Sequence, residues 1–188
     1  MFALIKHMWV TQYYTSYPIY LESDTPINFH HKSDLVNISV RQNKTYSVIS
    51  FSKENSPIDI TNTTAITCWN NLRPFFDSKL PEITLPIFFT GFSLGGSVAL
   101  LAASSLNLSS TVVTFGSQNT FDIPDNIRLV QVYCEYDPFY TCAQNSYGPT
   151  AILKPNLFRK KLSPKNHTFK YYNRKIMSNK FDCYLGST

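Results

Sequence analysis

One stretch leaves a chain like this few ways to fold. Residues 87–103 read Ile87-Phe88-Phe89-Thr90-Gly91-Phe92-Ser93-Leu94-Gly95-Gly96-Ser97-Val98-Ala99-Leu100-Leu101-Ala102-Ala103, a short apolar strand, a serine flanked by glycines, and a helix of small residues. The core, Gly91-Phe92-Ser93-Leu94-Gly95, suits a nucleophile elbow, a strained strand-to-helix turn that exposes the serine hydroxyl. Glycines two residues to either side are needed because side chains there would collide across the turn. A helix starting just after Ser93 points backbone N–H groups at any oxyanion forming beside it. The alternatives are an ordinary Gly/Ser-rich connection or a phosphate-binding turn. The strand before and the helix after favour the elbow.

At 188 residues, with 43% hydrophobic and 15% charged residues, the chain is expected to be one globular domain over 1–188. The net charge of +5 is modest, and its densest run is Arg159-Lys160-Lys161, continued by Lys165, Lys170, Arg174, Lys175 and Lys180. That run suits a solvated surface or peripheral contact with an anionic membrane. No nucleic-acid motif accompanies it, so nucleic-acid binding is not expected. No stretch approaches the roughly 18 apolar residues of a membrane span. The start, residues 1–10, is broken by Lys6 and His7 and makes a poor signal peptide, which favours a cytoplasmic setting. Cys68, Cys134, Cys142 and Cys183 lack metal-type spacing; Cys134 and Cys142 could bridge in an exported protein, whereas free thiols suit the cytosol. No metal or cofactor is implied, and a monomer is expected.

Along the chain, residues 1–30 give no clear secondary structure, although Tyr13, Tyr14, Tyr17 and Tyr20 suit packing against a sheet. The adjacent His30 and His31 point to opposite faces of a strand, which favours a surface role over metal binding. Residues 35–40 and 46–51 alternate as two strands of a hairpin, and 52–64 reads as a loop. A helix is expected from Thr64 to about Leu80, bent or interrupted at Pro74. After the elbow strand (87–90) and its helix (about 95–106) come strands at 111–116 and 127–133. This order describes an open α/β sheet, in which ligands sit at the carboxyl ends of the strands.

A serine alcohol needs a base, and the base an orienting carboxylate. With the α/β-hydrolase order of Ser, then Asp or Glu, then His, only His167 follows Ser93, since His7, His30 and His31 precede it. The acid is one of Asp122, Asp125, Glu135 and Asp137. The first two sit with Pro124 in a turn-like segment, whereas Asp137 directly follows a strong strand and precedes Pro138.

Residues 90–102 resemble the elbow of the class 3 lipases (fungal-lipase-like α/β-hydrolases), where a histidine usually stands at Phe92. Thr114-Phe115-Gly116-Ser117-Gln118-Asn119 is similar to that family's Thr-Phe-Gly-[Ser/Ala]-Pro-Arg. Val132-Tyr133-Cys134-Glu135-Tyr136-Asp137-Pro138-Phe139 resembles its strand ending in the triad aspartate, and His167, near Tyr171-Tyr172, stands where its late histidine is expected. The resemblance runs from about 35 to 172. It implies a three-layer α/β-hydrolase fold, a mostly parallel sheet with helices on both faces, and carboxylic-ester hydrolysis by Ser93, Asp137 and His167 on a lipid or small ester.

The departures lie in the oxyanion loop. Where the family has Phe-Arg-Gly-Thr-x-Ser-x-x-Asp-Trp, this chain has Phe51-Ser52-Lys53-Glu54-Asn55-Ser56-Pro57-Ile58-Asp59-Ile60. Lys53 replaces the glycine and Glu54 the hydroxyl donor. One donor is then the Leu94 N–H and the other a backbone N–H at Lys53 or Glu54, and losing one donor costs about a hundred- to a thousandfold in rate. The short segment between Asp59 and the elbow implies a reduced lid. Besides the lipase/esterase or lysophospholipase reading, the sequence allows a catalytically impaired lipase-like domain that binds lipid or a protein partner. An acyltransferase or peptidase on the same triad is a third reading.

Overall fold

The computed structural model describes residues 2–16, 27–31, 35–42, 44–53, 61–83, 86–118, 121–139, 150–153, 167–178 and 181–184. Eight strands form one sheet in sequence order: β1 (Ile27–His31), β2 (Val36–Gln42), β3 (Ser47–Lys53), β4 (Ile87–Phe92), β5 (Ser110–Phe115), β6 (Ile127–Cys134), β7 (Thr150–Leu153) and β8 (Phe181–Tyr184). The pairs β1–β2, β2–β3 and β7–β8 are antiparallel, and β3 through β7 run parallel. The expected hairpin is β2–β3, with Ile38 opposite Phe51.

Helices cover both faces, as an α/β sheet whose strands are apolar on both sides requires. On one face lie α2 (Asn62–Lys79) and α3 (Leu94–Leu106), burying Leu72, Phe76, Val98 and Leu100 against Ile38, Ile49, Phe51, Phe89 and Val112. On the other lie α1 (Phe2–Ser16) and α4 (Phe169–Met177), whose Ile5, Met8, Trp9, Tyr171, Tyr172 and Ile176 pack on Val48, Val113, Phe115, Val130 and Val132.

Several expectations need correction. The indistinct N-terminal segment contains a 15-residue helix, while Tyr17 and Tyr20 lie outside the described residues. Pro74 does not interrupt α2, which starts at Asn62 behind a Thr61 cap and runs through it. The proline lacks an N–H for the Asn70 carbonyl, but both residues are on the exposed face, where water can serve that carbonyl. His31 is not a plain surface residue, because its ring stacks on Phe75 of α2 at 4.1 Å. Strands β1 and β8 of the sheet lie outside the stretch of about 35–172 that carries the class 3 resemblance, which made no statement about them. Among the described residues no helix is long and apolar enough to cross a membrane. Cys68 and Cys134 are buried free thiols; Cys142, the proposed partner of Cys134, lies outside the described residues.

Candidate active site

The elbow forms because three backbone segments meet with no room for side chains. Ser93 joins β4 to α3 at φ 57° and ψ −128°, a conformation costly to any L-residue. Its N–H donates to the Phe115 carbonyl at 2.8 Å, which ties the turn to the end of β5. A Cβ on Gly95 would collide with the Phe51 carbonyl, so the first turn of α3 lies directly on the end of β3. The neighbouring strand end is fixed as well, since Ser97 Oγ of α3 donates to the Gln118 carbonyl at 2.7 Å.

Asp137 follows β6 in a tight turn, its N–H donating to the Cys134 carbonyl at 2.9 Å, with Tyr136 held at φ 65° just before it. The carboxylate is 0% exposed. Its Oδ1 accepts from the Phe139 N–H at 2.8 Å and its Oδ2 from the Tyr172 hydroxyl at 2.6 Å. Such donors are what a buried carboxylate requires.

His167 immediately precedes the N-cap of α4, where Thr168 Oγ1 accepts from the Tyr171 N–H at 3.3 Å. The imidazole Nδ1 lies 2.9 Å from Asp137 Oδ2, and Nε2 lies 3.0 Å from Ser93 Oγ. A carboxylate can only accept, so Nδ1 carries the proton and Nε2 is left to accept from the serine hydroxyl. The three residues picked from the sequence, 30 and 74 positions apart, thus form one hydrogen-bonded line. The ring keeps 15% side-chain exposure, while the carboxylate has none and Ser93 is buried at 3%.

No protein-family model matches the chain, and no curated sequence does. Solved structures do. A lipase from Rhizopus microsporus var. chinensis superposes with a TM-score of 0.61 at 16% identity, over 82% of this chain and 76% of that one. Rhizomucor miehei lipase, in a propeptide complex, gives 0.63 at 15% identity, over 80% and 68% of the two chains. Lipase II from Rhizopus niveus gives 0.60 at 16% identity, over 83% of each. This chain has the α/β-hydrolase fold of the fungal lipases.

Within that fungal-lipase fold, the structure adds residues the sequence did not single out for a role. Tyr172 is fully buried; it donates to Asp137 and accepts from the Cys134 N–H at 3.0 Å. Burial first, then the neighbouring Cys134 and Asp137, push its phenol well above the usual range, so it stays a donor. Burial and the Asp137 charge likewise raise the Cys134 thiol, which keeps it protonated and no rival to the serine. Gly116, at φ 54°, leaves open the space where a Cβ would stand 2.8 Å from the Tyr172 hydroxyl and 3.1 Å from His167 Cε1. Its signal was the glycine ending the 111–116 strand. Tyr172 had a weaker one, a tyrosine one turn into a helix after the only late histidine.

Of the expected oxyanion donors, Leu94 is the first residue of α3, where an N–H has no acceptor within its own helix. Lys53 ends β3, beside the Phe51–Ser52 backbone that abuts Gly95. Glu54 lies outside the described residues, as do 55–60. Between them and the elbow, α2 has its apolar stripe committed to the core. A groove of about 360 Å3, lined by Pro86, Phe88, Ser110, Asp125 and Arg128 among others, lies at the amino ends of β4–β6, away from the triad.

Proposed function

We propose that this chain is a serine hydrolase of the class 3 lipase type, cleaving carboxylic esters of lipids as a lipase/esterase or lysophospholipase. The observation that carries the reading is the Asp137–His167–Ser93 line ending on a serine in a strained elbow at the carboxyl edge of the sheet.

In this reading Ser93 Oγ attacks the ester carbonyl as its proton passes to His167 Nε2. The imidazolium is stabilised by Asp137, which Tyr172 and the Phe139 N–H hold in place. The tetrahedral oxyanion takes the Leu94 N–H and a backbone N–H at 52–54. The alcohol leaves with the proton from His167. Water, deprotonated by the same ring, then releases the acid and restores the serine. The sequence needs no metal or cofactor. Because the segment between Asp59 and the elbow is short, esters that require no large interfacial lid are the expected substrates: small esters and lysolipids ahead of triglyceride droplets. Of the basic residues expected at the C-terminal surface, Lys175 is buried with its Nζ over the Tyr171 ring, so it is Lys170 and Arg174, exposed on α4, that suit peripheral attraction to an anionic lipid surface.

One observation favours a second reading, a lipase-like domain that binds lipid or a partner without turnover: Lys53 and Glu54 stand where the family has a glycine and a hydroxyl donor. Hydrolysis of a panel of short- and long-chain esters and lysophospholipids separates the two. The hydrolase reading expects turnover that falls by about a thousandfold or more in both Ser93→Ala and His167→Ala. Full activity in His167→Ala would refute the assignment. Acyl-ligand binding that is unaffected by Ser93→Ala, with no turnover on any ester, would favour the binding domain.

A further inference from the structure

His167 has both ring nitrogens committed, one to Asp137 and one to Ser93. Among the described residues, two phenyl rings also lie against it. Phe92, the residue just before the serine, stacks on it with 5.2 Å between centroids and 22° between planes. Phe139, two residues after the acid, lies 4.5 Å away at 56°. Phe92 is itself held edge-on by Trp9 of α1 at 6.0 Å and by Tyr172 at 5.2 Å. Phe139 is tied to the acid through its backbone N–H.

We propose that Phe92 and Phe139 are positioning residues for His167, fixing its ring in the plane that serves Asp137 and Ser93 together and favouring the state in which it holds the serine's proton. The torsion that turns an imidazole about its Cβ–Cγ bond is broad and weakly restrained, so two edge hydrogen bonds alone leave the plane soft. The two phenyl rings restrain it, offer Nε2 no competing partner and limit the access of water to a ring that keeps 15% exposure. Once the proton has passed from Ser93 Oγ to Nε2, the ring is a cation. The negative face of a phenyl attracts a cation more than a neutral ring. An interaction stronger in the charged state than in the resting one speeds the chemical step. A histidine at position 92, as the class 3 resemblance leads one to expect, would instead set a second titratable ring beside the base.

This inference rests on the hydrolase reading, so its test has one arm that needs no substrate. Steady-state kinetics are measured for Phe92→Leu, Phe139→Leu and Phe92→Tyr on the ester that the wild-type chain turns over fastest. Proton NMR follows the downfield Nδ1–H resonance of His167 in the same proteins. Each leucine variant is expected to lower kcat about tenfold with KM changed less than about twofold, the loss of one cation–ring contact. Phe92→Tyr, which keeps the ring, is expected to restore most of the kcat lost in Phe92→Leu. The resonance is expected to broaden in the leucine variants through faster exchange with water. An effect on KM rather than kcat would make the rings a wall of the substrate site and overturn the proposal. So would leucine variants with wild-type kcat and an equally sharp resonance. A wild-type chain with a sharp resonance and no turnover on any ester contradicts the hydrolase reading alone, and the proposal then stands or falls on whether Phe92→Leu broadens the resonance.

Discussion

The two faces of the sheet are built differently. The α2/α3 face is mainly a packing layer: Leu72, Phe76, Phe89, Val98 and Leu100 fill it, and its buried polar groups are neutral, with Ser97 Oγ donating to the Gln118 carbonyl and the Tyr133 hydroxyl to the Gln131 side-chain oxygen. The α1/α4 face combines aromatic packing with charge. Trp9, Phe115 and Tyr172 pack together there, Trp9 Nε1 donates to Asn173 Oδ1 at 2.8 Å, and Tyr172 reaches through to the buried Asp137. The first face follows from helical periodicity within short stretches. The second is assembled from contacts up to 164 residues apart. The lesson is a division of labour, with one face giving the elbow a rigid floor and the other holding its base and acid.

Substitutions on the two faces should therefore fail in different ways. The largest effect is expected from Asp137→Asn. It leaves His167 without its orienting carboxylate and should lower kcat by about ten-thousandfold; a loss below about tenfold would remove the acid from its role. Next come matched truncations, read by thermal or urea unfolding and by kcat at a temperature where each protein is folded. Leu72→Ala should cost about 2–5 kcal/mol and leave kcat near wild type, whereas Trp9→Ala should cost about 3–5 kcal/mol and lower kcat as well. Equal effects on kcat would erase the distinction between the faces. Tyr172→Phe is milder. It strands the Cys134 N–H and removes one donor from Asp137, for an expected loss of about 1–3 kcal/mol and a lower kcat at unchanged KM.

The smallest effect concerns His7. Although the residue keeps an exposed edge, partial desolvation of its ring, then the nearby Arg41 cation, hold its imidazole below the ordinary 6.5. Well above pH 6.5 the ring is neutral in both folded and unfolded chains and adds nothing to the pH dependence. As pH falls below that value, the unfolded chain takes a proton that the folded one resists, so stability declines. His7→Gln should flatten this slope below about pH 6.5 in urea melts, and a slope as steep as wild type would assign it to other groups.

The parts legible in the sequence are those fixed by local chemistry. Ser93 was readable because the elbow excludes side chains at Gly91 and Gly95, and the α2/α3 face because Trp69, Leu72 and Phe76 recur at helical spacing. Asp137 stood out by following a strong strand and preceding Pro138, and His167 by chain order. The helix α1 was not legible because apolar residues surround its axis, Phe2 to Val10, with no polar stripe to set a period. The short strands β7 and β8, four residues each, carry too few residues to show alternation. Tyr172 and Phe139 matter through what they touch across the fold, which no spacing along the chain announces.

The most direct measurement is the rate at which a fluorophosphonate labels the purified protein, beside Ser93→Ala and His167→Ala. An activated serine held by this line of hydrogen bonds predicts fast labelling of the intact protein. It predicts none in Ser93→Ala, and in His167→Ala a rate lower by about a thousandfold or more. A folded wild-type chain that takes no label, or a His167→Ala variant that labels as fast as wild type, would contradict it.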